Sequence, residues 1–149
     1  VEHLAVSDAP GEAVLNVPNA RSSPGASLEA KGDPALQSFR VRTTSLDAYF
    51  GADAPRIRLI KCDVEGHALA VFRGAERILR EQKPALLFEC EQRHNGDRPV
   101  GEVFRYLEQL GYQGEFFGAR DRRAVRDFRP QLQENPRASS YVNNFLFRY

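Results

Sequence analysis

Three acidic side chains stand where two apolar segments of the chain end. Asp63 and Glu65 close the first segment, which begins near residue 57, and Glu89 closes the second, which begins at Ala85. A carboxylate beside a hydroxyl group can accept its proton, and crowded carboxylates raise one another's pKa toward neutral pH. The residue types therefore favour general-base chemistry, provided that the fold brings the three groups together.

Both apolar segments are predicted to be strands, and a helix is predicted between them. Apolar residues recur at helical spacing over residues 69–79, and Lys83-Pro84 marks the end of the helix. Gly74 within this helix indicates a close packing contact. A strand, a helix and a second strand form a right-handed crossover with parallel strands. We therefore expect the three carboxylates at one sheet edge, where open α/β sheets bind ligands.

The other predicted elements are strands at residues 2–6, 12–17, 38–43, 112–117 and 142–147, and helices at 46–50 and 100–110. The strand at 12–17 is expected at a sheet edge, paired with 38–43 as a hairpin. Thr44 or Ser45 is expected to cap the helix that follows. Residues 18–37 are rich in Pro, Ser, Gly and Ala without periodicity, which predicts a mobile loop. A second, charge-dense loop is predicted for residues 120–129.

Five short motifs resemble, in the right order, those of the FkbM family of S-adenosylmethionine-dependent methyltransferases. They are Ala5–Gly11, Thr43–Asp47, Ile60–Gly66, Phe72–Ala75 and Lys83–Glu89. The resemblance implies an α/β fold with a Rossmann-like class I methyltransferase sheet, mostly parallel, with an antiparallel C-terminal hairpin. The family's glycine-rich cofactor loop lies N-terminal to all five motifs and has no counterpart here. We therefore expect a single domain over residues 1–149 that lacks its N-terminal strands.

The resemblance also implies a reaction and a set of site residues. It implies S-adenosylmethionine as the cofactor and O-methylation of a small-molecule hydroxyl group, of the sugar or polyketide type. Asp63, Glu65 and Glu89 would be catalytic. Ser7, Asp8 and again Asp63 would lie near the cofactor.

Each of these residues also has a purely structural interpretation. Asp63 can cap the helix that follows it, and Glu65 can favour the dipole of that helix. Glu89 can be a solvated residue at a strand end. Ser7 and Asp8 can hold their own turn through side-chain hydrogen bonds. The sequence leaves these alternatives open.

A metal site is not expected. The three histidines lack zinc-ligand spacing and two cysteines do not make a structural zinc site, although clustered carboxylates can bind Mg²⁺ or Mn²⁺. His67 is either an additional base or a surface histidine. The sequence also lacks a phosphate-binding loop, a nucleophile elbow and a dinucleotide fingerprint.

The composition of the chain limits which classes of partner and which cellular compartment are expected. The formal net charge is +1, which gives no reason to expect a nucleic-acid partner. No apolar run is long enough for a membrane span, and the N-terminus shows no signal peptide. Cys62 and Cys90 are expected to be buried thiols in a reducing cytoplasm. The expected partner is a small-molecule methyl acceptor.

A second functional class stays open, in which the chain is a catalytically incomplete interaction module. Without the family's first two strands, the strand ending at Val6 has no natural neighbour in the expected sheet. An unpaired strand edge favours association with another chain. This interpretation predicts a homo-oligomer formed through the open sheet edge.

Overall fold

The computed structural model describes residues 1–18, 25–29 and 36–149. Within these ranges the chain forms eight strands, four α-helices and three short 3-10 turns. In chain order, the strands and helices are β1 (Ala5–Val6), β2 (Gly11–Val17), β3 (Gln37–Thr44), α1 (Leu46–Phe50), β4 (Leu59–Cys62), α2 (Ala68–Arg73), α3 (Glu76–Gln82), β5 (Ala85–Glu89), α4 (Gly101–Gln109), β6 (Gln113–Phe117), β7 (Arg122–Ala124) and β8 (Asn144–Arg148).

The N-terminal strands form a three-stranded sheet in the order β1-β3-β2. Strands β2 and β3 pair as an antiparallel hairpin, with Leu15 opposite Phe39, and β2 lies at the edge. Both predictions for this hairpin are confirmed. Strand β1 pairs in parallel with β3, with Ala5 opposite Thr43. The strand at Val6 was predicted to have no neighbour. This prediction is wrong for one edge of the strand, which pairs with β3.

The second sheet has five strands in the order β4-β5-β8-β6-β7. Among the described strands of this sheet, only β4 and β5 pair in parallel, because β8 runs in the opposite direction between β5 and β6. Across both described sheets two strand pairs are parallel and four are antiparallel. The α/β class is confirmed, whereas the Rossmann-like sheet with mostly parallel pairs is not. Fully buried Phe145 and Phe147 explain the central position of β8.

The C-terminal strands differ in one further respect from the prediction. Strands β6 and β8 are antiparallel neighbours, as expected. The edge of the sheet is nevertheless β7, which lies inside the segment predicted as a charge-dense loop. Its sequence Arg122-Arg123-Ala124 is polar, and exposed cationic side chains suit a strand with one unpaired side.

The single helix predicted between β4 and β5 is two helices, broken near Gly74. A Cβ atom on Gly74 would overlap the backbone carbonyl of Ser7, so the predicted close contact exists. The carboxylate of Asp47 accepts from the backbone N–H groups of Arg77 at 2.8 Å and Ile78 at 3.1 Å. Helix α3 can therefore begin as a separate helix, because Asp47 of α1 accepts hydrogen bonds from N–H groups in its first turn.

Two helix boundaries follow the predicted signals. Ser45 caps α1, because its Oγ accepts from the backbone N–H of Ala48 at 3.1 Å. Helix α3 ends at Lys83, which has a left-handed φ of 53° and precedes Pro84. Local sequence therefore determined where these helices begin and end.

Aromatic side chains hold the second sheet against its helices. The ring of Phe88 on β5 lies 5.1 Å from Phe72 on α2 and 5.7 Å from Phe145 on β8. Phe104 on α4 packs 4.7 Å from Phe145. All four rings are buried. This core anchors the strand that ends at Glu89.

The mobile loop predicted for residues 18–37 falls mostly on residues 19–24 and 30–35, which lie outside the described residues. In its described part, Ser27 is buried and forms an isolated antiparallel bridge with Asn16. Among the described helices, none combines the length and the apolar character that a membrane span requires.

Candidate functional site

The parallel pairing of β4 and β5 brings two of the predicted carboxylates to one sheet edge. Cys62 lies opposite Phe88 in the register, so Asp63 and Glu89 both leave the sheet at the same side. Between them lies Lys61, whose Nζ is 3.5 Å from Asp63 Oδ2 and 3.8 Å from Glu89 Oε1. The side chains of Asp63 and Glu89 are 50% and 32% exposed, so solvent or a ligand can reach both carboxylates.

The turn after β4 has an unusual backbone that orients the third carboxylate. Glu65 adopts a left-handed φ of 46°, and Gly66 follows with a φ of 99°. A Cβ atom on Gly66 would overlap the backbone carbonyl of His94. This close approach places His94 Nδ1 in contact with the Glu65 carboxylate, and 4.0 Å from Glu91 Oε1. Backbone strain in a non-glycine residue is often found at functional sites.

A buried carboxylate, that of Glu91, lies next to the carboxylates at this edge. Arg93 donates to both of its oxygens, at 2.9 and 3.0 Å, and the Tyr141 hydroxyl donates to Oε2. Burial alone would raise the pKa of Glu91, but these hydrogen bonds outweigh it and hold the pKa below its ordinary value. Glu91 is therefore a buried charged group that already has hydrogen-bond donors within the chain, which favours a supporting role.

Glu89 shows the opposite shift. Burial raises the pKa of its carboxyl group, and the negative charges of Asp63, Glu91 and Glu65 raise it further, while Lys61 acts against them. Its Oε2 also accepts a hydrogen bond from Asn143 Nδ2 at 3.2 Å. The pKa of Glu89 is therefore displaced toward neutral pH. That property suits a general base.

The acidic side chains share one depression, and Asp63 also borders a larger cavity. Asp63, Glu65, Glu89, Glu91 and His94 line the depression together with Gly66. The cavity holds about 300 Å³. Its walls are mostly apolar, and its lining residues are Leu4, Ala5, Val6, Leu15, Ala26, Ser27, Leu28, Asp63, Val64 and His67. Asp63 therefore stands between the acidic edge and the apolar cavity.

Ser7 and Asp8 follow β1 directly and form a hydrogen-bonded cluster with His67. The Ser7 hydroxyl donates to Asp8 Oδ1 at 3.1 Å, and its oxygen lies 2.9 Å from His67 Nε2. Nδ1 of His67 lies 2.8 Å from Glu29 Oε1. The His67 side chain is only 15% exposed, so its interpretation as a surface histidine is wrong. His67 connects the two predicted cofactor neighbours, Ser7 and Asp8, to the cavity that Asp63 borders.

The pKa of Glu29 reflects the same cluster. Burial raises the pKa of its carboxyl group, but the hydrogen bond with His67 and the charge of Arg98, 2.9 Å away, bring it below the ordinary value. Glu29 is therefore a stable negative partner for His67.

The capping interpretation of Asp63 is not supported by the geometry. The residue at the N-cap of α2 is His67, and among the described residues no side-chain capping hydrogen bond is made to this helix terminus. Instead, Asp63 faces Lys61 and Glu65 contacts His94. Both carboxylates are therefore available to the shared edge. Over the described ranges of the chain, no group of three or more His, Cys, Asp or Glu residues is arranged to hold a metal ion.

Three side chains of this site have no role predicted from the sequence, namely Lys61, Tyr141 and Asn143. Lys61 lies inside β4, next to the predicted carboxylates, and alternation along that strand would have placed it beside Asp63. Tyr141 and Asn143 lie more than fifty residues from Glu89 along the chain. They arrive only because β8 pairs with β5, with Asn144 opposite Glu89. No local pattern signals this arrangement.

Comparison with known proteins agrees with the motifs. A crystal structure of methyltransferase FkbM from Methylobacillus flagellatus KT, at 2.20 Å resolution, aligns with a TM-score of 0.47 and 20% identity. The alignment covers 74% of this chain and 24% of that one, so this chain spans about a quarter of that structure's length. Comparison with curated proteins gave no match. The family model described as the methyltransferase FkbM domain matches residues 2–113, well over half of the chain. The chain therefore belongs to the FkbM methyltransferase domain family.

Proposed function

We propose that this chain takes part in S-adenosylmethionine-dependent transfer of a methyl group to a hydroxyl of a small molecule, of the sugar or polyketide type. The observation that carries the proposal is the convergence of Asp63, Glu65 and Glu89 at one accessible edge, beside a cavity. Family membership supports methyl transfer, and the acidic edge supports a hydroxyl as the acceptor.

The carboxylates have distinct proposed roles. When bound, S-adenosylmethionine supplies a methyl group on a positively charged sulfur. Glu89 accepts the proton of the acceptor hydroxyl, because its raised pKa suits a general base. Asp63 orients the reactants from the border of the cavity, and His94 holds Glu65 in place. Alignment of the reacting atoms contributes the remaining acceleration.

The residues around the cavity fit the proposed cofactor chemically. Apolar walls such as Val6 and Leu15 suit the adenine ring, and the carboxylate of Asp63 suits a cationic group. Ser7 and Asp8 lie at the β1 exit, where their proposed role is contact with the adenosine portion. This assignment can be tested with the chain alone by isothermal titration with S-adenosylmethionine. Saturable micromolar binding that weakens in Asp63→Asn would support it.

The catalytic assignment is tested by Glu89→Gln, which keeps the side-chain shape and removes its basicity. In the protein that carries this chain, we expect methyl transfer from tritiated S-adenosylmethionine to a panel of sugars and polyketide alcohols to fall by about 100-fold or more. Glu108→Gln is the matched control, because Glu108 is exposed on α4 and should leave turnover unchanged. Unchanged turnover in Glu89→Gln would remove Glu89 from the mechanism.

A second proposed function is association through open sheet edges. Strands β1 and β4 each lie at the end of their sheet, and Leu59 on β4 is 55% exposed. An apolar edge strand favours pairing with a second copy of the chain. Light scattering coupled to size exclusion should then show a dimer that Leu59→Lys dissociates and that Phe39→Lys, at an exposed position on the central strand β3, does not. A monomer at all concentrations would exclude this function.

We also propose a cytoplasmic location. Cys62 and Cys90 are buried free thiols, and unpaired thiols persist where glutathione keeps the compartment reducing.

A further inference from the structure

Two asparagines form a hydrogen-bonded chain behind Glu89. Asn143 donates from Nδ2 to Glu89 Oε2 at 3.2 Å, and its own Oδ1 accepts from Asn144 Nδ2 at 2.8 Å. Asn144 begins β8 and lies opposite Glu89 in the register of the sheet. Two successive hydrogen bonds therefore connect Asn144 through Asn143 to the Glu89 carboxylate. Both asparagines lie outside residues 2–113, the part that matches the family model.

This chain has a definite direction. An amide NH₂ group only donates hydrogen bonds, and an ionised carboxylate only accepts them. With Asn143 reversed, its Oδ1 would face Glu89 Oε2, and two acceptors would repel each other. The amide of Asn144 occupies Asn143 Oδ1 and so favours the orientation in which Nδ2 points at Glu89.

The two oxygens of Glu89 are therefore not equivalent. Oε2 already accepts a hydrogen bond from the NH₂ group of Asn143, which cannot take up a proton. Oε1 lies 3.8 Å from Lys61 Nζ, on the side that faces Asp63. We propose that Asn143 and Asn144 are positioning residues, which reserve Oε1 of Glu89 as the oxygen that accepts a proton during the reaction.

The identity of the proton donor rests on the proposed function. The O–H bond of the acceptor hydroxyl would break, a new O–H bond would form at Glu89 Oε1, and the acceptor oxygen would use the freed electron pair to bond to the methyl carbon. The bond between the methyl group and the sulfur would break at the same time, and its electron pair would leave on the sulfur of S-adenosylhomocysteine. The hydrogen bond from Asn143 to Oε2 persists throughout, because a neutral carboxyl group still accepts through its carbonyl oxygen.

The proton affinity of Glu89 depends on the groups that surround its carboxylate, and Asn143 is one of them. Asp63, Glu65 and Glu91 favour its protonated form, and Lys61 favours its ionised form. Asn143 is a neutral group that donates a hydrogen bond to the Glu89 carboxylate. Such a hydrogen bond stabilises the ionised form and so lowers the pKa of a carboxyl group. Removal of this donor should therefore make Glu89 bind its proton more tightly.

The test is a carbon-13 NMR titration of the glutamate carboxyl groups in the ligand-free chain. Asn143→Leu removes both ends of the amide, and we expect Glu89 to bind its proton about threefold to tenfold more tightly. Asn144→Asp can only accept while ionised, so it should turn Asn143 around, place Oδ1 against Glu89 and raise the proton affinity further. The Asn143→Leu/Asn144→Asp double variant has no Asn143 amide that could turn around. Compared with Asn143→Leu, its Glu89 should therefore gain proton affinity only from the added negative charge.

Gln113→Glu is the matched control for charge. Gln113 is exposed and pairs with Arg148, at the opposite end of β8 from Glu89, so the control should leave the Glu89 titration unchanged. Amide NMR spectra of each variant establish that it is folded. If neither Asn143→Leu nor Asn144→Asp changes the titration of Glu89, or if the Asn144→Asp effect is the same without Asn143, the positioning inference is overturned.

The outcome is separable from that of the proposed function. The titration needs neither cofactor nor acceptor, so it reports only on the asparagine chain. The expected shifts, combined with full turnover in Glu89→Gln, would overturn the proposed function and leave the positioning of the carboxylate intact. An unchanged titration combined with loss of turnover in Glu89→Gln would overturn only the positioning inference.

Discussion

Tyr141→Phe tests how strongly the C-terminal segment stabilises the acidic edge. The substitution deletes one oxygen, which donates to Glu91 Oε2. The Glu91 side chain is only 7% exposed, so water replaces the lost donor poorly. Arg93 still contacts both carboxylate oxygens, and the charge keeps a partner in the variant.

The expected magnitude follows from this geometry. A hydrogen bond to a charged group contributes about 1.5–3 kcal/mol. Because Arg93 remains, we expect Tyr141→Phe to lower the free energy of unfolding by about 1.5 kcal/mol, at the low end of that range. For a chain of this size, the loss corresponds to a fall in Tm of about 3–6 °C.

The effect should depend on pH with a defined sign. The pKa of folded Glu91 is held below its ordinary value of 4.5, so the stability that it contributes is present above 4.5 and is lost as the pH falls through the folded pKa. Tyr141 is one cause of this lowered pKa. The stability difference between the two proteins should therefore be full at neutral pH and shrink in acid.

Urea unfolding followed by circular dichroism at neutral and acidic pH measures both effects. Tyr149→Phe is the matched control. It deletes the same atom from an exposed tyrosine whose ring, and not its hydroxyl, lies under Lys83, and it should change stability by less than about 0.5 kcal/mol. Equal stability of Tyr141→Phe and the parent at neutral pH, or a difference that does not shrink in acid, would refute the reasoning.

Two further predictions concern the turn after β4 and the cysteines. Gly66→Ala should lower the free energy of unfolding by about 2 kcal/mol or more, because it adds a Cβ at a φ of 99° against the His94 carbonyl. Gly96→Ala, at a φ of 58° with open space around it, should cost about 1 kcal/mol, and equal losses in urea unfolding would contradict this account. Burial raises the pKa of the Cys62 and Cys90 thiols to about 12 and about 11. Ellman's reagent should therefore react slowly with the native protein at neutral pH and rapidly in urea; fast reaction without denaturant would show that the thiols are accessible.

Several parts of the fold were predictable because their signals are local. Ser45 caps α1, Lys83-Pro84 ends α3, and the β2–β3 hairpin has the expected partners. The break at Gly74 was not predicted, because it depends on a carboxylate that Asp47 brings from another helix. The mostly parallel sheet was wrong for a similar reason. The neighbours of a strand depend on which strands bury the most apolar surface, and β8 with its two phenylalanines takes the central position.

The amino-acid sequence by itself determined that Asp63, Glu65 and Glu89 end two consecutive strands, and a strand–helix–strand crossover is enough to bring such ends to one edge. Only the tertiary structure decided that the pKa of Glu89 is raised, because the shift arises from burial and from charges on neighbouring segments. Tyr141 and Asn143 also reached the site through tertiary structure alone. Strand β8 carries them there by pairing across the sheet, and hydrogen bonds between distant segments leave no periodic pattern in the chain.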